Sequence, residues 1–231
     1  MVPSKKERWI MFDGIASTYD KVNRWITFGS DIYWRNKLVQ KISLTASSLI
    51  DVASGTMDVA ITAVKKCPQL KHVIALDMAK EMLDIGEKKC EAMGISKIVK
   101  QVADVHQLPF NDNAHDAITV SFGIRNFESL PTAFKEMHRV LKPKGDLIIL
   151  ESCQPNNRLL RFLNNVYLRF WVIPIGSFFS GERSAYSYLM ESIEAFSSPE
   201  ELKQTLLSAG FKKVEIEFVM FQSVQIIHAI K

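Results

Sequence analysis

An α/β fold, built on a mostly parallel sheet with helices on both faces, follows from three features of the sequence. Segments of strand character alternate with segments of helical period, and the strands end at small residues, acids or serine. A final helix is then followed by two short alternating strands only a few residues apart, which pair as an antiparallel hairpin. Repeated strand and helix units imply right-handed crossovers, with ligands at the carboxyl ends of the strands. The expected sheet is Rossmann-like but mixed and seven-stranded, its last strand pair antiparallel, which separates it from the ordinary dinucleotide-binding fold.

Taken in order, Leu49 to Ala53 is a strand buried on both faces apart from Asp51, and Val59 to Lys66 is a helix. Lys71 to Leu76 is the second strand, followed by a helix over Lys80 to Met93 with Met82, Ile85 and Met93 on one side. Lys97 to Ala103 and His115 to Ser121 are the third and fourth strands. Pro131 to Leu141 is a helix with one apolar stripe of Ala133, Phe134, Met137, Val140 and Leu141, and Asp146 to Leu150 is the fifth strand. Pro199 to Ala209 is helical. Val214, Ile216 and Phe218 then alternate with Glu215 and Glu217 in a half-exposed strand, and Val224 to Ile230 closes the sheet.

The segment LIDVASGTMDVA, Leu49 to Ala60, joins the first strand to its helix through Ser54, Gly55 and Thr56. Gly55 lets the backbone approach a ligand closely, and the helix behind it offers unpaired N–H groups. Asp77 ends the second strand roughly 20 residues later, the spacing of an acid that grips a ribose diol. The alternative is an Asp that caps the helix beginning near Ala79. Asp104 ends the third strand, where it can accept from an adenine amino group while Val105 packs on the base, or serve as a plain loop acid. Ser121 ends the fourth strand beside the same cleft. The chain lacks both GxGxxG and GxxxxGK[ST], which disfavours dinucleotides and nucleoside triphosphates. A nucleoside without phosphates fits better, and S-adenosyl-L-methionine is the foremost of these.

Composition narrows the remaining classes. With 231 residues and 47% hydrophobic content, one well-cored domain spanning 1–231 is expected, with no linker or repeat. The net charge of +4 is spread among interleaved acids, with no basic stripe and no base-flipping motif, so nucleic acid is not an expected partner. Three cysteines without metal spacing fit reduced thiols in a cytoplasmic protein. No metal is expected, because His106, His115 and His138 have no ligand arrangement. The N-terminal residues lack a signal-peptide core and no stretch is long enough to span a bilayer, so a soluble protein, at most peripheral at the inner face of the membrane, is expected. From Arg158 to Phe179, aromatic and aliphatic residues mix with three arginines, a composition suited to a greasy tunnel wall, an interfacial helix or a core helix.

Five segments in order resemble the quinone C-methyltransferases, which methylate demethylmenaquinol or the benzoquinol precursor of ubiquinone. They are MFDGIASTYDKVN (Met11 to Asn23), DVASGTMD (Asp51 to Asp58), LPFNDNAHDAITVSFGIRNF (Leu108 to Phe127), HRVLKPKGDLIILE (His138 to Glu151) and YSYLMESIEAF (Tyr186 to Phe196). The resemblance implies a class I S-adenosylmethionine-dependent methyltransferase fold with Gly55, Thr56, Asp77, Asp104, Val105 and Ser121 at the cofactor. It also implies an N-terminal helical lid over about 1–45 carrying Tyr19 and Asp20, and a substrate-side insertion over about 155–197. The implied reaction is methyl transfer to a ring carbon of demethylmenaquinol in menaquinone biosynthesis, with a polyprenyl benzoquinol of ubiquinone biosynthesis as the alternative.

Carbon methylation of a quinol needs an electron-rich ring held in line with the methyl group, so groups that favour the phenolate lower the barrier. Arg125 and Asn126 of FGIRN are the candidates, Arg125 for a developing phenolate and Asn126 for a quinol oxygen. The alternatives are a surface loop cation and a helix cap. Tyr19 either faces the active site or packs the N-terminal helix. Two departures from the family pattern stand out: Met57 replaces a glycine, and Phe221 and Gln222 replace a Gly-Gly pair. Met57 either narrows the cofactor pocket, leaving an impaired variant that serves as a partner subunit, or folds its thioether into the neighbouring core.

Overall fold

The computed structural model describes the backbone of residues 5–231 and the side chains from Ile10 onward, so the first four residues of the expected lid lie outside the described ones. Two helices, α1 (Lys5–Ile26) and α2 (Ser30–Val39), precede the sheet. The strands are β1 (Ser48–Val52), β2 (His72–Asp77), β3 (Ile98–Val102), β4 (His115–Ser121), β5 (Leu141–Ser152), β6 (Lys213–Val219) and β7 (Val224–Ile230). Their spatial order is β3-β2-β1-β4-β5-β7-β6, with parallel pairing from β3 through β5. β7 is antiparallel to both β5 and β6, so the closing hairpin inserts its last strand beside β5. The order reverses between β1 and β4, and the crevice beyond their carboxyl ends is where such sheets bind ligands.

Alternation along the strands divides the core into two layers. Leu49 of β1, Ala117 of β4 and Ile148 of β5 face α2, α3 (Asp58–Lys66) and α4 (Lys80–Ala92). Ile50, Ile118 and Ile149 face α5 (Leu130–Val140) and α9 (Pro199–Ser208). The stripe on α5 is buried as its period predicts, with Ser129 capping the helix by accepting from the Thr132 N–H. Ser198 and Glu201 form a capping box at the start of α9.

β5 differs most from expectation. It begins at Leu141, directly after α5, and its register against β4 shifts between His115 and Ala117. Pro143 and Gly145 signal a turn in the sequence, but the irregular register accommodates a proline that has no N–H to give the ladder.

A third layer lies across the carboxyl ends of the strands. α6 (Arg158–Tyr167) runs through a π-helical stretch (Leu168–Val172) into α7 (Ile173–Ser180), and α8 (Arg183–Glu194) returns alongside. α1 packs against α7 and α4, with Ile15, Val22 and Ile26 meeting Leu168, Val172 and Tyr186 in a separate apolar cluster.

Candidate active site

The turn after β1 is clamped to the end of β2. Ala53, Gly55 and Met57 all have left-handed backbones, with φ of 52°, 53° and 65°. The Ser54 N–H donates to the Leu76 carbonyl at 3.1 Å. Asp77 Oδ2 accepts from the Gly55 N–H at 2.8 Å, and its Oδ1 accepts from the Ala79 N–H at 2.9 Å. Asp77 therefore organises both the glycine turn and the start of α4, and its carboxylate retains acceptor capacity for a ligand hydroxyl. Burial raises its carboxyl above the usual range, against the hydrogen bonds that lower it.

Beneath the turn, Asp51 accepts from Ser54 Oγ at 2.6 Å and from Thr119 Oγ1 at 2.7 Å. Burial still pushes its pKa up from an ordinary 3.8 to about 6. The stabilisation this carboxyl gives is fully present below its unfolded pKa and is lost as pH rises through about 6, because the folded state then holds a buried charge. Asp51→Asn cannot ionise. Its stability cost relative to the parent is expected to shrink by about 3 kcal/mol between acidic and neutral pH, read from urea unfolding at pH 3.5 and 7.5.

Two cavities open on these strand ends. The first, of about 820 Å³, is lined by Gly55, Asp77, Asp104, Val105, Ser121 and Asn126, among others. The Ser129 N–H donates to His106 Nε2, leaving Nδ1 as the donor to Asp104 Oδ1 at 2.7 Å. Ser121 Oγ is buried and has no hydrogen-bond partner among the described residues. A buried hydroxyl of that kind, beside an acid and an apolar valine, suits a polar nucleoside ligand.

The second cavity, of about 1040 Å³, lies between α1, α2, the α6–α7 helix and α8. Its lining is mainly apolar. Arg125 reaches it from beneath, 7% exposed, with Nη1 paired to the fully buried Glu151 of β5 and its Nε unpartnered among the described residues. The burial rules out a surface cation. Asn126 Oδ1 accepts from the Tyr188 hydroxyl of α8 at 3.0 Å, while Ser129 caps α5 instead.

Phe12, Tyr19 and Phe122 line both cavities, so the two meet there. Phe122 has φ of 55°, rare for a bulky residue, and its N–H donates to the Leu150 carbonyl at 2.7 Å. Gly123 permits the same bend, since a Cβ there would stand 2.5 Å from Ala53 Cβ. Glu151, Phe12, Phe122 and Tyr188 escape a motif reading of function. The signals were present nonetheless: an acid closing the apolar strand LIILE, and a phenylalanine directly after Ser121.

Thr56 lines neither cavity. Its hydroxyl donates to Asp20 Oδ1 at 2.6 Å, and Lys89 bridges Asp20 to Asp58. Asp58 also meets Arg24 and Arg35, which both pair with the buried Asp31. Burial opposes the ionised Asp58, but Arg35, Lys89 and Arg24 outweigh it and hold the carboxyl below its usual range. This ion cluster fastens α1 and α2 to the glycine turn.

Met57 does not narrow the first cavity. Its side chain is 1% exposed and turns into the core, with Sδ 3.9 Å from Cys90 Sγ. It lies on Gly86 of α4, where an added Cβ would come within 2.4 Å of Met57 Cγ. The glycine omitted from the turn thus has a counterpart in the facing helix. Gly86→Ala is expected to lose about 1–3 kcal/mol through overpacking, and Met57→Ala in the same chain to recover part of it, measured as a double-mutant cycle of urea midpoints.

The sheet order, the reversed final hairpin and a chamber beyond β1, β2, β3 and β4 give the chain the fold of the class I methyltransferases. A family model described as the ubiE/COQ5 methyltransferase family matches residues 3–231, and the chain belongs to that family. It is 39% identical over 213 residues to the demethylmenaquinone methyltransferase of Thermotoga maritima, covering 90% of each chain. It is also 39% identical to the ubiquinone/menaquinone biosynthesis C-methyltransferase of Geotalea daltonii, covering 89% of this chain and 88% of that one. Among solved structures, a SAM-dependent methyltransferase from Aquifex aeolicus superposes with a TM-score of 0.62 at 17% identity, over 85% of this chain and 88% of that one.

Proposed function

We propose that the chain transfers a methyl group from S-adenosylmethionine to a ring carbon of demethylmenaquinol, giving menaquinol. The observation that carries this reading is the meeting of a chamber edged by Asp77, Asp104 and Ser121 with a larger one reached by Arg125, the two joining at Phe12, Tyr19 and Phe122. The name of the Thermotoga maritima relative supports the naphthoquinol head group. Residues 1–231 act as one methyltransferase domain in which about 1–45 form the lid and about 155–197 the substrate-side wall.

Bound S-adenosylmethionine would supply an electrophilic methyl whose transfer to the ring carbon breaks the S–CH3 bond, forms a C–C bond and releases a neutral thioether, the ring carbon then losing its proton to solvent to restore the quinol. Asp77 receives the ribose hydroxyls on the acceptor capacity it retains, and Ser121 Oγ gains the partner it lacks. Asp104 and Val105 hold the adenine, and Gly55 keeps the turn open to close approach. Thr56 acts through its hydrogen bond to Asp20, holding α1 and hence Tyr19 over the junction. Arg125 stabilises negative charge on the quinol oxygen, with Glu151 fixing its guanidinium in place. Asn126 lines the cofactor chamber, and with its carbonyl oxygen engaged by Tyr188 of the larger cavity it is left with amide N–H groups to donate to a quinol oxygen that reaches the junction. The apolar second cavity takes the ring and the first part of a polyprenyl tail, and such a substrate requires peripheral contact with the inner face of the cytoplasmic membrane.

Purified protein given methyl-labelled S-adenosylmethionine and reduced demethylmenaquinone is expected to yield labelled menaquinol. Tight cofactor binding with no labelled product, or label appearing only on a polyprenyl benzoquinol, overturns the naphthoquinol assignment. Met57→Gly is expected to leave cofactor affinity within about twofold, since the side chain turns into the core and does not line the chamber.

A further inference from the structure

The helix that walls the larger cavity has a second face that no described part of the chain covers. Asn164, Tyr167, Leu168 and Val172 turn toward the cavity. Leu159, Phe162, Leu163, Val166 and Phe170 stand at i, i+3, i+4, i+7 and i+11, forming one stripe, and they are 37–71% exposed. Such a stripe on a helix in water normally turns inward, yet no residue of α6 is buried. The apolar surface continues onto the corner between α1 and α2. There the half-exposed Trp25 stacks on Phe179 with ring centroids 5.9 Å apart, and the exposed Phe28 stacks on Trp171 at 4.9 Å.

Charge on this face has one sign. Arg158, Arg161 and Arg169 are exposed and flank the stripe, and none is in an ion pair among the described residues. Residues 152–181 contain no Asp or Glu. Among the described residues no helix is long and apolar enough to cross a membrane, so this surface lies on its partner rather than through it.

We propose that the outward face of α6 and the π-helical stretch docks on an anionic phospholipid bilayer, with the stripe in the acyl boundary and the three arginines on lipid phosphates. A second copy of the chain would bring three more unpaired arginines and no acid to the same face, setting like charges together. An anionic bilayer supplies the missing countercharge. One helix then touches the lipid on its outer side and the substrate cavity on its inner side. The proposal rests on the lipid-borne quinol reading only in explaining why the two lie back to back.

The full chain is sedimented with vesicles of equimolar phosphatidylglycerol and phosphatidylcholine, and with vesicles of phosphatidylcholine alone. Binding is expected to the anionic vesicles, weaker by about tenfold or more on the neutral ones, and to weaken with salt. The exposed-site variant Phe162→Ser/Phe170→Ser is expected to lose binding by about tenfold or more while its thermal midpoint and its methylation of a tail-less naphthoquinol stay unchanged. Wild-type binding by that variant, or equal binding to both vesicle types, overturns the proposal. So does absent vesicle binding together with self-association that the variant abolishes, which assigns the face to a second copy. Vesicle binding that depends on Phe162 and Phe170, with neither quinol methylated, leaves the docking face standing and removes the proposed reaction.

Discussion

Glu151→Ala is expected to destabilise the protein by about 3–5 kcal/mol, because it leaves the Arg125 guanidinium buried without its countercharge. The two side chains are 7% and 0% exposed, so water cannot compensate for the lost carboxylate. Arg125→Ala strands Glu151 in the same way, and neither single variant separates folding from chemistry. The apolar pair Arg125→Met/Glu151→Leu does. Replacing a buried ion pair by packed apolar side chains is often neutral or stabilising, so this double variant is expected to return to within about 1–2 kcal/mol of the parent. Its turnover is expected to stay about 10²–10³-fold down, the usual consequence of removing a positioned group that stabilises an oxyanion. Urea unfolding and single-turnover methylation, measured on the same samples, check both halves.

Asp77→Ala is expected to raise the dissociation constant for S-adenosylmethionine by about a hundredfold or more, since it removes both acceptors for a ribose diol at once. It also deprives the Gly55 and Ala79 N–H groups of their partner, so the glycine turn and the start of α4 both loosen. Asp77→Asn retains one acceptor oxygen and is expected to fall between parent and alanine. The pH dependence carries a sign. Burial raises the Asp77 carboxyl, so affinity that needs the carboxylate is present at high pH and fades on acidification at a higher pH than an ordinary aspartate would give. Calorimetric titration across pH 4 to 8 with parent and asparagine variant reads this directly, and a pH-independent affinity in the parent removes Asp77 from the ribose site.

What the sequence disclosed depended on whether the signal was local. β4 over His115–Ser121 and β7 over Val224–Ile230 have the bounds their patterns predict, because strand period and turn residues are both short-range. β5 starts earlier than expected because its register shift accommodates Pro143, a tertiary arrangement that proline content alone does not reveal. The placement of β7 between β5 and β6 is likewise a pairing decision made at long range. Gly55, Asp77, Asp104, Val105 and Ser121 can be proposed together from sequence because each ends a strand of one parallel set, and the structure brings all five to one cavity. Thr56 is adjacent to Gly55 in sequence yet its hydroxyl points to Asp20, a direction set by the fastening of α1. Glu151 and Tyr188 become visible as partners of Arg125 and Asn126 only once β5 and α8 are folded against the FGIRN loop. The meaning of Met57 needed Gly86, 29 positions away, which no local pattern connects to it.

The division of labour between the two cavities is tested most directly by a crystal structure with S-adenosylhomocysteine bound. The adenosyl group is expected between Asp77, Asp104, Val105 and Ser121, with the ribose on Asp77 and the sulfur turned toward Phe12, Tyr19 and Phe122. An adenosyl group seated instead in the larger cavity beside Arg125, or a sulfur facing away from that junction, contradicts the assignment of cofactor and quinol to their chambers.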